Sequence, residues 1–425
     1  MVNPLDASDA VRRQQGERLE AMLAEVGARN AFYRRRLAAA NVRPGELRAP
    51  EDLARLPLLT KGDLVQDQLA HPPYGTFLTY PVDRYVRLHQ TSGTTGRPMR
   101  WVDTEEDWRW WGRCWAAVYA GAGVTAADRI FFAFAFGPFV GFWSAMEGAR
   151  AVGALAIPGG GMDSVARLRA ILDHGATVLC CTPTYALHLA EVAGREGIGI
   201  RPGPVRVTIH AGEPGASIPA TQRRIEEVWG ARCCDHWGMT EVGPAGTPCL
   251  ARQDGQHLNE AEYIPEVIHP ETGQALPAGQ RGELVMTNLG RWGAPAIRYR
   301  TGDLVEPEVG PCPCGSPYLF LRGGVVGRAD DMVTVRGVNV FPSAIEAIVR
   351  ELPEVVEFSV EVTKGRALEE LGIRIEVNGN GAAVAARLVD LVRHRMGLRP
   401  LVEVAPDGSL PRYELKARRF RVRQG

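Results

Sequence analysis

The chain lacks a net charge. Its 49 Lys and Arg residues balance 49 Asp and Glu. That leaves no electrostatic footprint for nucleic acid or for an acidic membrane surface. It also lacks a long hydrophobic run. The most apolar stretch, Ile130 to Trp143, is broken by Gly137, Pro138 and Gly141, too short and too interrupted to span a bilayer. The opening segment MVNPLDASDAVRRQQGERLE has no apolar core of a secretory signal, which predicts a cytoplasmic protein. There is no low-complexity tract and no internal repeat. What remains is ordinary globular composition, 45% apolar and 23% charged over 425 residues. That length holds one large domain plus a smaller one, or two or three of average size.

Eight cysteines are present, and in a cytosolic chain they do not read as a disulfide framework. Cys180, Cys181, Cys233 and Cys234 sit in strand-like apolar context, as buried small residues do. Cys249 and His257, then Cys312 and Cys314 with Gly315, look different. Three thiolates and an imidazole can close a tetrahedral structural zinc site, away from any catalytic rim.

Residues 1–80 read as a helical lobe, with apolar positions at Val11, Leu19, Met22, Leu23 and Val26. Residues 105–120 form another helix, whose tryptophans read as packed core rather than a ligand platform. Strands then alternate with helices. Strands are expected at Arg129–Ala135, Ala154–Ile157, Val178–Cys181, Val205–His210 and Ala231–His236. Helices are expected at 138–151, 163–173, 184–195 and 217–229. This alternation predicts a parallel α/β sheet covered on both faces, with ligands at the carboxyl ends of its strands. Short β segments follow within a β-subdomain at 246–325, completing a large domain at 81–328. A smaller α+β unit is expected over 329–425, ending in a basic segment.

Four stretches carry chemistry. Thr91-Ser92-Gly93-Thr94-Thr95-Gly96-Arg97-Pro98 lies between two short strands. Such a loop is either an ordinary turn or a cradle of amides and hydroxyls for an anion, with Arg97 adding charge. It is not the P-loop, because no Gly-Lys-Ser/Thr ends it. Trp237-Gly238-Met239-Thr240-Glu241 follows a strand. Its indole can stack on a purine, Thr240 can donate to phosphate and Glu241 can hold a divalent cation; the same residues also suit a plain strand–helix junction. Asp303, after Gly302, either accepts from ribose hydroxyls or sits in a turn. Lys416, in a basic tail, either faces solvent or neutralises developing phosphate charge.

Taken in order, Thr91–Pro98, Gly212–Ala216, Asp235–Glu241, Tyr299–Asp303, Gly327–Pro342 and Leu410–Arg419 match one pattern. The chain resembles the phenylacetate–CoA ligase family of the adenylate-forming superfamily, from about Asn30 to the C-terminus. The resemblance implies a large α/β domain with a β-subdomain and a small mobile α+β domain. It implies that a carboxylate attacks the α-phosphate of MgATP, and that coenzyme A then displaces AMP. By position, Ser92, Gly93, Thr94, Thr95 and Arg97 cradle the outer phosphates. Gly212, Glu213, Pro214, Asp235, His236 and Trp237 surround the adenine. Thr240 contacts the α-phosphate, Glu241 holds Mg²⁺, Asp303 binds ribose, and Arg328 reaches ribose or phosphate. Lys416 bridges the α-phosphate and the substrate carboxylate, and Asp330 is the hinge. The set Cys249, His257, Cys312 and Cys314 is similar to the zinc cluster of many relatives. Three positions depart from the family pattern. Arg97 and Trp237 stand where lysine and tyrosine are usual, and Leu415 stands where glycine is usual.

The implied substrate pocket is lined by Phe136, Gly137, Pro138, Phe139 and Gly141, by His210, Ala211 and Gly212, and by Gly238, Met239 and Pro244. Aromatic walls over glycine suit a compact ring, so an aromatic monocarboxylate is expected. His210, a lone histidine at a strand end, reads as structural or as a partner for a ring substituent. The expected partners are the aromatic acid, ATP and CoA, without nucleic acid or membrane; a homodimer is left open. A carrier-protein thiol as acceptor and a catalytically silent nucleotide-binding module are the rival readings.

Overall fold

The computed structural model describes residues 4–91, 98–329, 331, 333–336, 338–364, 369–413 and 417–424. Among these, five strands form a wholly parallel sheet in the order Leu155–Pro158, Arg129–Phe132, Val178–Cys181, Val207–His210 and Arg232–Asp235. Successive side chains on a strand point to opposite faces. Accordingly Phe131, Leu179, Cys181 and Cys233 pack on one side, and Ile130, Phe132, Cys180 and Cys234 on the other. Both faces of the central strands are covered, which is why Ile130–Phe132 and Val178–Cys181 are continuous apolar runs rather than alternating.

The covering helices start where the sequence supplies caps. Thr182 accepts from the Tyr185 amide and Pro183 opens the helix Pro183–Arg195. Thr104 and Asp107 form a reciprocal capping box at the start of Glu105–Gly121. Gly153 and Gly230, both left-handed, end Trp143–Val152 and Pro219–Trp229. The helix expected from 138 begins only at Trp143. Gly141, at φ +27°, and Pro138 hold the preceding residues in a loop.

Six strands form an antiparallel sheet in the order Gly246–Pro248, Gly255–Leu258, Phe320–Arg328, Tyr299–Glu308, Gly282–Asn288 and Tyr263–Ile268. The N-terminal helices Pro4–Arg29 and Ala31–Ala39 do not form a core of their own. Leu19, Met22, Leu23 and Val26 pack in one cluster with Leu284 and Met286 of this sheet and with Ile297, which precedes the strand Tyr299–Glu308. Trp108, Trp110, Trp111 and Trp115 are all buried, so these tryptophans are core, as their helical context predicts.

The smaller α+β domain has its own core under a four-stranded sheet ordered Leu401–Val404, Glu369–Val377, Val355–Lys364 and Phe420–Gln424. Its last strand pairs parallel with Val355–Lys364. The basic C-terminal segment is therefore woven into the sheet rather than left as a solvated tail. Among the described residues no helix is long and apolar enough to cross a membrane.

Candidate active site

The loop that leaves the carboxyl end of Arg232–Asp235 meets the antiparallel sheet through a hydrogen-bonded chain of predicted site residues. The Trp237 indole N–H donates to Asp303 Oδ2 at 2.8 Å. Asp303 Oδ1 accepts from Arg328 at 3.0 Å. Two strands set this pairing, because Asp303 stands opposite Arg328 in the antiparallel register. Asp303 is placed further by its own amide, which donates to Thr301 Oγ1 at 3.0 Å. A tyrosine at 237 has no ring N–H to make this bond.

Gln256, which the sequence reading missed, holds the same junction from below. Its Oε1 accepts from the Trp237 amide at 3.0 Å, and its Nε2 donates to Asp235 Oδ2 at 3.3 Å. A Cβ on Gly246 would lie 2.0 Å from Gln256 Oε1, so glycine is what lets Gln256 enter. Burial pushes the Asp235 carboxyl up to about 7, partly offset by the His236 amide. His236 is buried, with its Nδ1–H donating to Gly246 O at 2.6 Å. Burial lowers its pKa to about 4, so the ring is neutral at pH 7. His210 is enclosed in the sheet. Its Nδ1–H donates to Cys181 O at 3.1 Å and its Nε2 accepts from Thr208 Oγ1 at 2.8 Å. Both ring nitrogens are thus engaged inside the protein, and the ring is 0% exposed.

Thr240 and Glu241 are positioned through their backbone. Arg291 Nη1 donates to Thr240 O at 2.7 Å and Glu241 O at 3.2 Å. Arg291 is fully buried, and its Nε is paired with buried Asp103 at 2.6 Å. Trp101 and Trp111 flank the guanidinium at 4.8 and 5.1 Å. Asp107 lies nearby; burial, then the Asp103 charge, raises its pKa to about 6. The Glu241 side chain is buried and faces Lys61 Nζ at 3.2 Å. Lys61 opens the helix Lys61–Ala70. Neither Arg291 nor Lys61 stands in a stretch that suggests a site. Only the tertiary fold brings them to residues 240–241.

The loop after Arg129–Phe132 carries the aromatic wall. Phe136 and Trp143 meet edge to face at 4.8 Å, and Phe134 meets Phe136 at 5.5 Å. The Phe134 ring packs so closely on Gly141 that a Cβ there would lie 2.4 Å from it. Phe139 and Trp143 remain 41% and 40% exposed. Pro138 O accepts from Gln90 N at 2.7 Å, tying this loop to the strand that precedes Thr91. Gly238–Met239 pairs antiparallel with Gly243–Pro244, and Gly212, at φ +97°, turns the chain between Ala211 and Glu213. Ser92, Gly93, Thr94, Thr95, Arg97, Asp330 and Lys416 lie outside the described residues.

Away from this rim, Cys249, His257, Cys312 and Cys314 converge. Their ligand atoms all lie within 4.8 Å of one another. Cys249 and Cys312 sulfurs are 3.6 Å apart, and Cys314 Sγ is 3.3 Å from His257 Nε2. His257 Nδ1 donates to Tyr318 O at 3.0 Å, which fixes the ring with Nε2 toward the thiols.

With this geometry in place, the comparisons are specific. The AMP-binding enzyme family model matches residues 2–290, and the AMP-binding enzyme C-terminal domain model matches 337–423. A phenylacetate–coenzyme A ligase of Thermus thermophilus is 32% identical over 96% of this chain and 95% of its own length. The chain belongs to the phenylacetate–CoA ligase family of AMP-binding enzymes. It is an adenylate-forming acid–thiol ligase. A solved 2-hydroxyisobutyryl-CoA ligase in the postadenylation state, in complex with 2-HIB-AMP, superposes with TM-score 0.90 at 32% identity, covering 96% of this chain and 88% of that one. The same enzyme in its thioesterification state, with 2-HIB-AMP and CoA, superposes with TM-score 0.73 at 31% identity, covering 100% and 94%. The ligase described here thus superposes more closely on the postadenylation form than on the thioesterification form.

Removing Arg291 leaves Asp103 buried without its charge partner, which costs about 3–5 kcal/mol. Arg291→Met is expected to lose that much in urea unfolding, and Asp103→Asn in the same chain to recover part of it. A single-variant loss under about 1 kcal/mol contradicts the pairing.

Proposed function

We propose that this ligase activates an aromatic monocarboxylate of the benzoate, aminobenzoate, phenylacetate or indoleacetate type and passes it to coenzyme A. The observation that carries the substrate class is the aromatic loop 134–143, where Phe136 meets Trp143 edge to face, Phe134 packs on Gly141, and Phe139 and Trp143 are exposed. Relatives at nearly equal identity are ligases of phenylacetate and of 2-hydroxyisobutyrate, so identity alone does not choose between a ring and a small branched acid. The compact aromatic wall favours the ring.

In the proposed reaction the substrate carboxylate attacks the α-phosphorus of ATP and pyrophosphate leaves. Positioning and charge neutralisation supply most of the catalysis, without a protein nucleophile. Ser92 to Thr95 and Arg97 would guide the leaving pyrophosphate. Thr240 would donate to the α-phosphate, and Lys416 would bridge it to the substrate carboxylate. Trp237 and the Gly212–Pro214 turn would flank the adenine, beside Asp235 and His236. Asp303 and Arg328, already hydrogen-bonded to each other, would take the ribose. The Glu241 carboxylate, which faces Lys61, would hold the cation in place of that ammonium. Mg²⁺ bound there would neutralise phosphate charge. The thiol of CoA would then attack the acyl carbonyl and AMP would leave, after the small domain turns about Asp330.

The four-residue cluster suits zinc. Its S–S and S–N separations agree with tetrahedral ligands about 2.0–2.3 Å from one ion, and the Tyr318 carbonyl fixes the His257 tautomer as such sites require. All four positions would be filled, so the ion would brace the β-subdomain rather than take part in chemistry.

ATP–pyrophosphate exchange across a panel of acids tests the substrate class. Aryl acids are expected to drive exchange; robust exchange with octanoate or 2-hydroxyisobutyrate and none with any aryl acid contradicts it. For the metal, about one zinc per chain is expected by elemental analysis. Chelation is expected to lower the melting temperature without directly blocking turnover by the remaining folded enzyme. Metal-free protein of unchanged melting temperature contradicts the zinc assignment.

A further inference from the structure

One buried ionic cluster has no part in the chemistry above. It lies where the small domain meets the large one. Arg419 is 7% exposed. Its guanidinium is bidentate on Glu357 at 2.6 and 3.0 Å, with Glu346 at 3.6 Å. The rings of Phe358 and Tyr413 flank it at 5.2 and 5.5 Å. These partners all belong to the small domain. The remaining arm crosses the boundary, and Nη1 donates to Thr184 Oγ1 at 3.1 Å.

A second bond crosses beside the first. Glu213 Oε1 accepts from the Thr184 amide at 3.0 Å. Thr184 is in the first turn of Pro183–Arg195, where unpaired amides and the helix dipole favour a carboxylate. Glu213 Oε2 accepts from the Ala417 amide at 2.7 Å. One carboxylate thus joins the large domain to the residue that directly follows Lys416.

We propose that Glu213, Thr184 and Arg419 form a clasp that positions the Lys416-bearing segment for adenylate formation and parts for thioester formation. This rests on the ligase reading above. Glu213 and Arg419 act through the segment, so they are positioning residues. A lysine that bridges two reacting groups tolerates little displacement, since about 1 Å of misplacement costs on the order of a hundredfold in rate. Fastening the backbone one residue away limits that displacement. The clasp is also built to open. Arg419 takes Glu357 and Glu346 with it when the small domain moves, because all three are on that domain. Its charge is never stranded when the bonds to Thr184 and Glu213 separate. An ion pair that also spans the boundary, Arg412 with Glu191 at 3.8 Å, leaves Arg412 still paired with Glu376 of its own domain at 2.7 Å.

Thr184→Val removes the hydroxyl while keeping the side-chain shape, and Glu213→Gln removes the charge. Both are tested in the full chain, with an acid that the parent enzyme activates. The readouts are kcat and the ATP KM of pyrophosphate exchange, and thioester formation from the preformed acyl-adenylate and CoA. Thr184→Val is expected to lower exchange kcat about tenfold, as loss of a hydrogen bond to a charged group does, with ATP KM within about twofold and thioester formation unchanged or faster. Glu213→Gln is expected to act in the same direction. Parallel loss of both half-reactions, or unchanged exchange in Thr184→Val, overturns the clasp. A change confined to ATP KM in Glu213→Gln makes Glu213 a nucleotide contact only and overturns its part. Absence of exchange in the parent protein with every acid tried overturns the ligase reading beneath the inference.

Discussion

A guanidinium with no access to water must have a carboxylate beside it, and much of this site is arranged around that requirement. Arg291 and Asp103 are both 0% exposed and lie 2.6 Å apart. Asp103 comes from the strand before the tryptophan-rich helix; Arg291 comes from the loop after Gly282–Asn288. Their pairing brings two distant parts of the large domain together. Because Arg291 also donates to the carbonyls of Thr240 and Glu241, the same pair sets the backbone of the proposed phosphate-facing segment. Buried ion pairs are weak evidence of net stability but strong determinants of geometry once formed. Here the geometry they determine is that of residues 240 and 241.

Around this fixed point the site is assembled by side chains that hold one another. Trp237 donates to Asp303, Asp303 accepts from Arg328, and Gln256 supports both Trp237 and Asp235. Burial keeps His210 and His236 neutral at pH 7, so they bring no competing positive charge to the rim. The large domain thereby offers a prearranged surface. The charges expected to complete it, Arg97 and Lys416, belong to segments outside the described residues. The small domain meets this surface through Arg419 and Ala417, and the chain superposes more closely on the postadenylation form of a related ligase than on its thioesterification form. The Arg419 and Ala417 contacts between domains are hydrogen bonds, at 3.1 and 2.7 Å.

The parallel sheet was legible because buried strands leave short apolar runs in the chain, and these alternate with helical segments at regular spacing. Trp237 was legible as a site candidate because it follows a strand, and Asp303 because it follows Gly302, although Asp303 lies within Tyr299–Glu308 rather than in a turn. Their hydrogen bond was not, since nothing local couples residues that far apart in the chain. Arg291, Gln256, Lys61 and Arg419 were illegible for the same reason. Each is an ordinary polar residue whose meaning comes from strand register or from the packing of one domain on another. The helix expected from residue 138 began late because Pro138 and Gly141 outweighed the apolar periodicity. A solvated face was one of two readings of the basic C-terminal segment, yet charge on the exposed positions of an edge strand is what such a strand requires.

The central claim is that the large domain binds the reactants while a lysine on the small domain completes only the first step. The most direct measurement compares the two half-reactions in Lys416→Ala. The account predicts loss of pyrophosphate exchange by at least about a hundredfold, with thioester formation from a preformed acyl-adenylate retained. Equal loss of both half-reactions, or retention of both, would contradict it.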